Sequence, residues 1–233
     1  MSQCIIEIDS PRFLELDNRD RAVHWPDIFG NDRPLELEIG CGTGHFLIEM
    51  ARRNPQVNYL GIDIYNRGCD KSCRKADAAR TDNVRVARTE ARQLLAHHID
   101  RAQLQAVYIN CPDPWPKKRH RKRRLVQRNF LEHLRYCLKP GGSFYFCTDF
   151  TDYAEQVAGT LPEVEGLTNA LPVPVAEEIE GYPVSKYMRR FLDRGERLYY
   201  MHYRKDADFR DEDHPPPGIP RFYSHLWDRA AND

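Results

Sequence analysis

The sequence predicts an α/β protein built on a doubly wound, mostly parallel sheet. Five short apolar segments between residues 35 and 148 have the length and composition of buried strands. Five segments whose apolar residues recur at helical spacing alternate with them. Strands that alternate with helices indicate parallel pairing through right-handed crossovers, with helices on both faces of the sheet.

The predicted elements follow one another along the chain. The predicted strands cover residues 35–39, 57–64, 83–87, 104–110 and 143–148. The predicted helices cover residues 46–51, 67–80, 94–99, 130–138 and 153–160. Pro140, Gly141 and Gly142 are expected to close the fourth helix, because proline and glycine interrupt helices. After these, we expect an irregular connection over 163–183, a helix over 186–192 and a late strand over 197–203.

The predicted sheet and helices lie between two segments of different character. Residues 1–33 are polar and mixed and are interpreted as an N-terminal arm, and residues 34–204 form the α/β domain. Residues 205–233 form a C-terminal extension with seven acidic residues against four basic ones. Its proline-rich stretch from His214 to Pro220 excludes regular structure, and the aromatic residues between Phe222 and Trp227 are candidates for docking.

Composition excludes several classes of protein. The chain has 233 residues, and no apolar run in it approaches the roughly 20 residues that a transmembrane helix needs. The N-terminus lacks the basic region and apolar core of a signal peptide, so the cytoplasm is the predicted location, with no membrane partner. Seven scattered cysteines without a second close Cys or His pair argue against a disulfide framework and against a metal site. Both a monomer and a homodimer remain open.

A glycine-rich turn follows the first predicted strand. Gly40, Gly42 and Gly44 allow a tight turn and a close approach of a ligand to the backbone, and their spacing differs from the dinucleotide-binding pattern. Glu38 precedes the turn, where an acid suits a cationic ligand, and Asp63 ends the second strand, where an acid suits ribose hydroxyls. The combination resembles the S-adenosylmethionine site of class I methyltransferases, whose fold is Rossmann-like. A turn without a ligand and a nicotinamide site are the alternatives.

Two further stretches indicate a substrate site. Residues 110–116, Asn-Cys-Pro-Asp-Pro-Trp-Pro, place Asp113 after the fourth strand, where open α/β sheets bind their ligands. A rigid surface turn is the alternative there, and Trp115 serves either as a stacking face or as an anchor of the loop. The next eight residues, Lys117–Arg124, carry seven positive charges and are interpreted as a phosphate-binding strip. The alternatives are a solvated face or a localisation signal.

These motifs together resemble the bacterial tRNA (guanine-N7)-methyltransferase family. The resemblance rests on the glycine-rich turn, on Gly61-Ile-Asp-Ile64, on Pro112-Asp-Pro-Trp-Pro-Lys-Lys-Arg-His120 and on Thr148-Asp-Phe150, and it covers residues 34–203. It implies methyl transfer from S-adenosylmethionine to N7 of a guanine in the variable loop of tRNA.

The resemblance also implies roles for individual residues. The implied cofactor-binding residues are Glu38, Gly40, Gly42, Gly44, Asp63, Glu90 and Asp113, of which Asp113 is also the central catalytic acid. The implied substrate-binding residues are Lys117, Asp149, Ser185, Lys186, Tyr187 and Met188. The implied RNA-binding residues are Lys118, Arg119, Arg121, Lys122, Arg123 and Arg124. Glu90, which would hold the adenine, has a solvated acid at a helix start as its alternative.

The chain departs from the family pattern at one substrate position. The family has a late Thr-x-[Phe/Tyr]-Glu motif beside the target base, where this chain has Ser185-Lys-Tyr-Met188. Met188 removes a carboxylate to which guanine N1–H and N2–H₂ would donate. A methyltransferase for another nucleobase or RNA therefore remains open, as does an RNA-binding relative without catalysis.

Overall fold

The computed structural model describes residues 5–16 and 23–216. Within them the chain forms one eight-stranded sheet in the order β1-β4-β3-β2-β5-β6-β8-β7. The strands are β1 Phe13–Leu14, β2 Leu35–Ile39, β3 Asn58–Asp63, β4 Val84–Arg88, β5 Leu104–Asn110, β6 Leu138–Thr148, β7 Leu167–Asn169 and β8 Tyr199–Lys205. Strands β1 to β6 pair in parallel, and β8 is antiparallel to both β6 and β7. The predicted fold class is confirmed.

Six of the seven helices among the described residues lie where the sequence predicts them, with shifts of a few residues at their ends, and the first lies within the N-terminal arm. They are α1 Trp25–Phe29, α2 His45–Arg53, α3 Asn66–Ala79, α4 Ala91–His97, α5 Arg128–Cys137, α6 Thr151–Thr160 and α7 Lys186–Leu192. Three 3₁₀ helices are added at Lys118–Arg123, Leu161–Glu163 and Asp211–Asp213. The first of these contains most of the basic strip.

The sheet is covered on both faces. Neighbouring residues of a strand point to opposite faces, and Tyr59 and Leu60 of β3 are buried in two different apolar clusters. Helices α2 and α3 contribute to the cluster that contains Tyr59, and α4, α5 and α6 contribute to the one that contains Leu60. This arrangement is the doubly wound architecture that the alternation of elements predicts.

Three local predictions are corrected by the sheet. Pro140 does not close a helix, because α5 ends at Cys137 and β6 begins at Leu138. The pairing of β6 with β5 shifts register between Leu138 and Ser143, so residues 139–142 bulge where proline and glycine are tolerated. Strand β7 lies within the connection that was expected to be irregular, and β1 brings part of the N-terminal arm to the sheet edge beside β4.

The predicted segment boundaries fall close to sheet strands. Lys205, the first residue of the C-terminal extension, is the last residue of β8. Residues 206–216 continue from it, and Asp211 is buried. The expected docking of the aromatic residues between Phe222 and Trp227 lies outside the described residues. The carboxyl ends of β2, β3, β5 and β6 meet along one edge of the sheet, and this edge positions the candidate site.

Candidate active site

The glycine-rich turn connects β2 to α2 and is fixed by Asp63. Gly40, Gly42 and Gly44 have φ angles of +78°, +55° and +73°, in the left-handed region that glycine favours. The backbone N–H of Gly42 donates to Asp63 Oδ2 over 2.7 Å, and that of Tyr65 donates to Asp63 Oδ1 over 2.8 Å. The Asp63 carboxylate therefore holds the turn against the end of β3 and keeps lone pairs for a ligand.

Glu38 provides an unpaired buried acceptor beside this turn. Its side chain is 3% exposed, and its Oε2 has no hydrogen-bond partner among the described residues. Burial, with a smaller contribution from the nearby negative charge of Asp63, raises the pKa of Glu38 to about 8. The Nδ2 of Asn110, at the end of β5, is also buried without a partner in the described chain. A buried acceptor and a buried donor thus lie close together, because the Asn110 side chain is near enough to Glu38 to lower its pKa.

These two groups line a pocket at the carboxyl edge of the sheet. The turn and α2 form one side of it, and the start of α7 forms the other. Its lining residues are Glu38, Gly40, Cys41, Gly42, Thr43, His45, Phe46, Asn110, Ser185, Lys186 and Tyr187. The predicted cofactor turn and three predicted substrate residues therefore face one another across a single pocket.

The rim of the pocket carries positive charge. The Lys75 ammonium of α3 donates to the Thr43 carbonyl over 2.7 Å and lies 2.8 Å from His45 Nδ1. Partial burial lowers the pKa of Lys75, and the nearby positive charges of Lys186 and Lys71 lower it further. Neither Lys75 nor His45 carries a signal in the sequence, because only the packing of α3 against the turn brings Lys75 to the pocket.

The start of α7 divides its residues between the pocket and the interior. The Ser185 hydroxyl accepts from the backbone N–H of Met188 over 3.2 Å and caps the helix. The Met188 side chain is buried among Cys147, Leu198 and Tyr200. Ser185, Lys186 and Tyr187 line the pocket as the motif predicts, but the structure corrects Met188, whose side chain packs inside the protein.

The loop over residues 110–116 presents Asp113 at the same edge of the sheet. Asp113 is exposed, and its negative charge contributes to the raised pKa of Asp63, for which burial is the main cause. Trp115 lies between the guanidinium of Arg123, 5.0 Å from its ring centre, and the His120 ring at 5.9 Å. These contacts join the loop to the basic strip, and a stacking role of Trp115 stays a prediction.

The residues of the basic strip differ in their exposure. Lys117, Lys118, Arg119, Lys122 and Arg123 are exposed. Arg121 and Arg124, one turn apart, both contact the Asp152 carboxylate of α6. The side chain of Arg124 is fully buried, so the structure corrects its predicted role: as placed, it cannot reach an RNA phosphate.

Glu90 and Asp149 lie at the carboxyl ends of β4 and β6. The Glu90 carboxylate accepts from the backbone N–H groups of Arg92 and Gln93 and forms an ion pair with the Arg92 side chain over 2.9 Å. Glu90 therefore caps α4 as an acid at a helix start, but its side chain is only 14% exposed and is not solvated as its alternative describes. Asp149 is partly buried, and burial raises its pKa. Neither residue belongs to the lining of the pocket.

Two kinds of feature are absent from residues 5–16 and 23–216. No group of three or more His, Cys, Asp or Glu side chains in these ranges is arranged to hold a metal ion. No helix there is both long enough and apolar enough to cross a membrane.

Comparison with known proteins identifies relatives of the whole chain. A protein-family model described as "Putative methyltransferase" matches residues 32–201. The chain is 48% identical over 233 residues to a tRNA (guanine-N(7)-)-methyltransferase of Syntrophotalea carbinolica, with 100% of both chains covered. It is 52% identical over 207 residues to a tRNA (guanine-N(7)-)-methyltransferase of Geobacter metallireducens, with 88% of this chain and 98% of the relative covered.

Solved structures of more distant proteins share the fold. A 30S ribosomal A1408 methyltransferase from an uncultured bacterium superposes with a TM-score of 0.57 at 14% identity, covering 82% of this chain and 95% of that one. A geranyl diphosphate C-methyltransferase from Streptomyces coelicolor, solved with S-adenosyl-L-homocysteine, gives a TM-score of 0.51 at 13% identity, covering 74% of this chain and 73% of that one. At these identities the likeness establishes the architecture.

Proposed function

Since this chain belongs to the tRNA (guanine-N7)-methyltransferase family, we propose that it transfers a methyl group from S-adenosylmethionine to N7 of a guanine in the variable loop of tRNA. The observation that carries the proposal is the pocket in which buried Glu38 Oε2 lacks a partner, at the sheet edge that also presents Asp113. The exposed basic residues of the strip follow Asp113 closely along the chain. We place the activity in the cytoplasm.

The residues of the pocket fit S-adenosylmethionine. Glu38 Oε2 would accept from the ammonium of its methionyl end, and Asn110 Nδ2 would donate to the carboxylate. Lys75 and Lys186 at the rim add positive charge that favours the same carboxylate. Asp63 would accept from ribose hydroxyls with its remaining lone pairs. When bound, the cofactor supplies an electrophilic methyl group on a positively charged sulfur.

The protein's own part in the reaction is alignment and charge stabilisation. Guanine N7 already carries a lone pair on the major-groove edge of the base, so the reaction requires no general base. The loop over residues 110–116 would hold the guanine in line with the methyl group and exclude water. Asp113 would orient the base and stabilise the positive charge that the purine gains with the methyl group.

The tRNA backbone would bind along the exposed side of the strip. Lys117, Lys118, Arg119, Lys122 and Arg123 are all exposed and follow Asp113 directly. Phosphate contacts of this kind position RNA without reading its sequence. Base selection therefore rests with other side chains. The proposed substrate contacts are Ser185, Lys186 and Tyr187 of the pocket lining, and Lys117 and Asp149 outside it.

Methylation of unmodified tRNA tests this function. The purified chain is incubated with tRNA transcripts and S-adenosylmethionine, and the digested nucleosides are identified by mass spectrometry. We expect 7-methylguanosine, and we expect it to disappear when the variable-loop guanine is replaced by adenine. A transcript with the same exchange in another loop is the matched control.

Other outcomes of this experiment support the alternatives. A different methylated nucleoside would indicate a methyltransferase for another base. Cofactor and tRNA binding without any methylated product would indicate an RNA-binding relative. A 7-methylguanosine signal that survives the variable-loop exchange would contradict the proposed position only.

A further inference from the structure

Arg124 belongs to the basic strip by sequence but to the protein interior by structure. Its side chain is 0% exposed, and its guanidinium donates in three directions. Nε donates to the Pro114 carbonyl over 2.8 Å, one terminal nitrogen donates to Gln156 Oε1 over 2.7 Å, and the other donates to Asp152 Oδ2 over 2.5 Å. Pro114 follows Asp113, so this guanidinium joins the Asp113 loop to α6.

The Asp113 loop requires such an external contact. Cys111 and Trp115 have φ angles of +48° and +44°, a left-handed conformation that is strained for residues other than glycine. The three prolines of the loop have no backbone N–H to donate, so the loop cannot form a hydrogen-bond ladder of its own. Strained backbone persists where its surroundings over-determine it, and Arg124 supplies a buried contact at the centre of the loop.

The ionic partner of Arg124 is suited to a permanent contact. The hydrogen bond from Arg124 holds the pKa of Asp152 below its ordinary value, and the charge of Arg121 acts in the same direction. The Arg124 guanidinium also lies 4.7 Å from the centre of the Tyr153 ring. A planar fork with five N–H donors can satisfy three separate acceptors, whereas the single ammonium of lysine cannot span them.

We propose that Arg124, with Asp152 as its counter-ion, is a positioning residue that holds the Asp113 loop in the geometry required for methyl transfer. The proposal rests on the proposed function for the role of Asp113. It gives Arg124 no contact with RNA, cofactor or base. Its effect reaches the reaction through the Pro114 carbonyl and the adjacent Asp113.

Kinetics of four variants of the full chain test this role. Arg124→Gln and Arg124→Lys remove the fork, and Arg128→Gln is the neutral control at an exposed arginine of α5. Arg119→Ala removes an exposed positive charge of the strip. We expect both Arg124 variants to lower kcat by about 100-fold, the effect of misplacing a reacting group by about 1 Å, with the Kd for tRNA changed by less than about twofold. Arg119→Ala should instead weaken tRNA binding and reduce its salt slope by about 0.7–0.9.

Trp115 fluorescence tests loop placement without substrate, so it decides even if no variant methylates tRNA. The Trp115 signal is the difference between each protein and its Trp115→Phe counterpart. We expect acrylamide to quench Trp115 more strongly in Arg124→Gln and Arg124→Lys than in the parent, and equally in Arg128→Gln and the parent. Should Arg124→Gln fail to fold, Arg124→Lys and Asp152→Asn are expected to show the same displacement.

Two results would overturn the proposal. If Arg124→Lys weakens tRNA binding and lowers the salt slope as Arg119→Ala does, with kcat intact, Arg124 contacts RNA. If it lowers only the free energy of unfolding, with kcat and Trp115 quenching unchanged, Arg124 stabilises the fold without positioning the loop. Absence of methylation by the parent protein itself would instead reject the proposed function.

Discussion

Glu38 shows at the scale of one residue how a binding group is kept at the expense of stability. Burial raises the pKa of its carboxyl to about 8, so a folded chain holds the proton there when an unfolded chain has already released it. The free energy of unfolding should therefore fall as pH rises from the ordinary carboxyl pKa of about 4.3 towards 8, and level off above it. A cationic ligand group beside Oε2 would favour the ionised form and release the proton.

Replacing Glu38 should separate stability from binding. We expect Glu38→Gln to be more stable than the parent at pH 8.5 by on the order of 1 kcal/mol or more, because the amide has no proton to lose. The same variant should lose measurable affinity for S-adenosylhomocysteine in calorimetry. Urea unfolding at pH 6 and pH 8.5 measures the first effect, and parallel pH profiles for parent and variant would contradict it.

Asp113 should affect the chemical step and leave RNA binding largely unchanged. We expect Asp113→Asn to lower kcat by about 100-fold or more, because the amide orients a base but does not neutralise its developing positive charge. The Kd for tRNA should change by less than about twofold, since the exposed basic residues of the strip remain. Single-turnover kinetics with saturating tRNA measure the step, and a near-normal rate would remove Asp113 from its central role.

Residue identity could be predicted where a motif carries the chemistry, and orientation could not. Glu38 and Asp113 follow from their place after predicted strands, and the structure brings both to one edge of the sheet. Arg124 looks like its exposed neighbours in the sequence. Arg124 directly follows the 3₁₀ helix, and its inward direction depends on Asp152, which lies 28 residues further along the chain.

At the scale of elements, the turn between β2 and α2 depends on glycine for two separate reasons. Gly44 has φ +73°, and a β-carbon there would lie 2.8 Å from Ser72 Oγ and 3.0 Å from Ser72 Cα of α3. Gly181 has φ +72° with nothing within 4 Å of such a carbon. The two positions therefore share backbone strain, and only Gly44 adds a clash.

Alanine at these two glycines should give different losses. We expect Gly181→Ala to cost about 1–2 kcal/mol from the left-handed backbone alone. Gly44→Ala should cost more than Gly181→Ala and also weaken S-adenosylhomocysteine binding, because α3 must move away from the turn. Urea unfolding and calorimetry measure both effects. Equal losses in stability with unchanged binding would show that the turn accommodates the extra carbon.

Exposure along the 3₁₀ helix of the basic strip predicts which basic residues bind RNA. Lys118→Ala combined with Arg119→Ala should reduce the slope of log K against log salt by about 1.4–1.8, because each lost phosphate contact contributes about 0.7–0.9. Lys139→Ala, at the opposite edge of the sheet, is the matched control. Fluorescence anisotropy of labelled tRNA between about 50 and 200 mM salt measures the slope. An unchanged slope would exclude Lys118 and Arg119 as phosphate contacts.

Elements with a clear period could be predicted, whereas those defined by their partners could not. Strands β2 and β5 begin and end where their apolar runs do. Strand β7 has three residues and β1 has two, too few for any period, and both exist because a longer strand offers its edge. The bulge in β6 around Pro140 likewise depends on the register with β5.

At the scale of the whole molecule, a buried ionic network joins the C-terminal segment to the α/β domain. Lys205, at the end of β8, is fully buried and donates to the Leu138 carbonyl over 2.8 Å and to Asp211 Oδ2 over 2.6 Å. Asp211 Oδ1 lies 3.8 Å from Nε of Arg135 in α5, which is also buried. Residues 205–211 therefore complete the packing of α5 and β8, although their composition predicts a separate acidic extension.

This network predicts that the position of a truncation decides its effect. Cutting the chain after Arg204 removes Lys205 and Asp211, together with the Phe209 ring and the His214 carbonyl that also contact Arg135. Cutting it after Pro216 keeps the whole network. We expect the form cut after Arg204 to lose about 3–5 kcal/mol of unfolding free energy. The form cut after Pro216 should keep the contribution of this network.

A point substitution separates the ionic network from the loss of chain. Asp211→Ala should lower the free energy of unfolding by about 3–5 kcal/mol, because it leaves the positive charges of Lys205 and Arg135 buried without their carboxylate. Asp213→Ala, at an exposed acid two residues further on, should change it by less than about 0.5 kcal/mol. Urea unfolding at pH 7 compares the two. If they are equally stable, the C-terminal segment is held by contacts other than this network, and the cost of the cut after Arg204 would then come from those contacts.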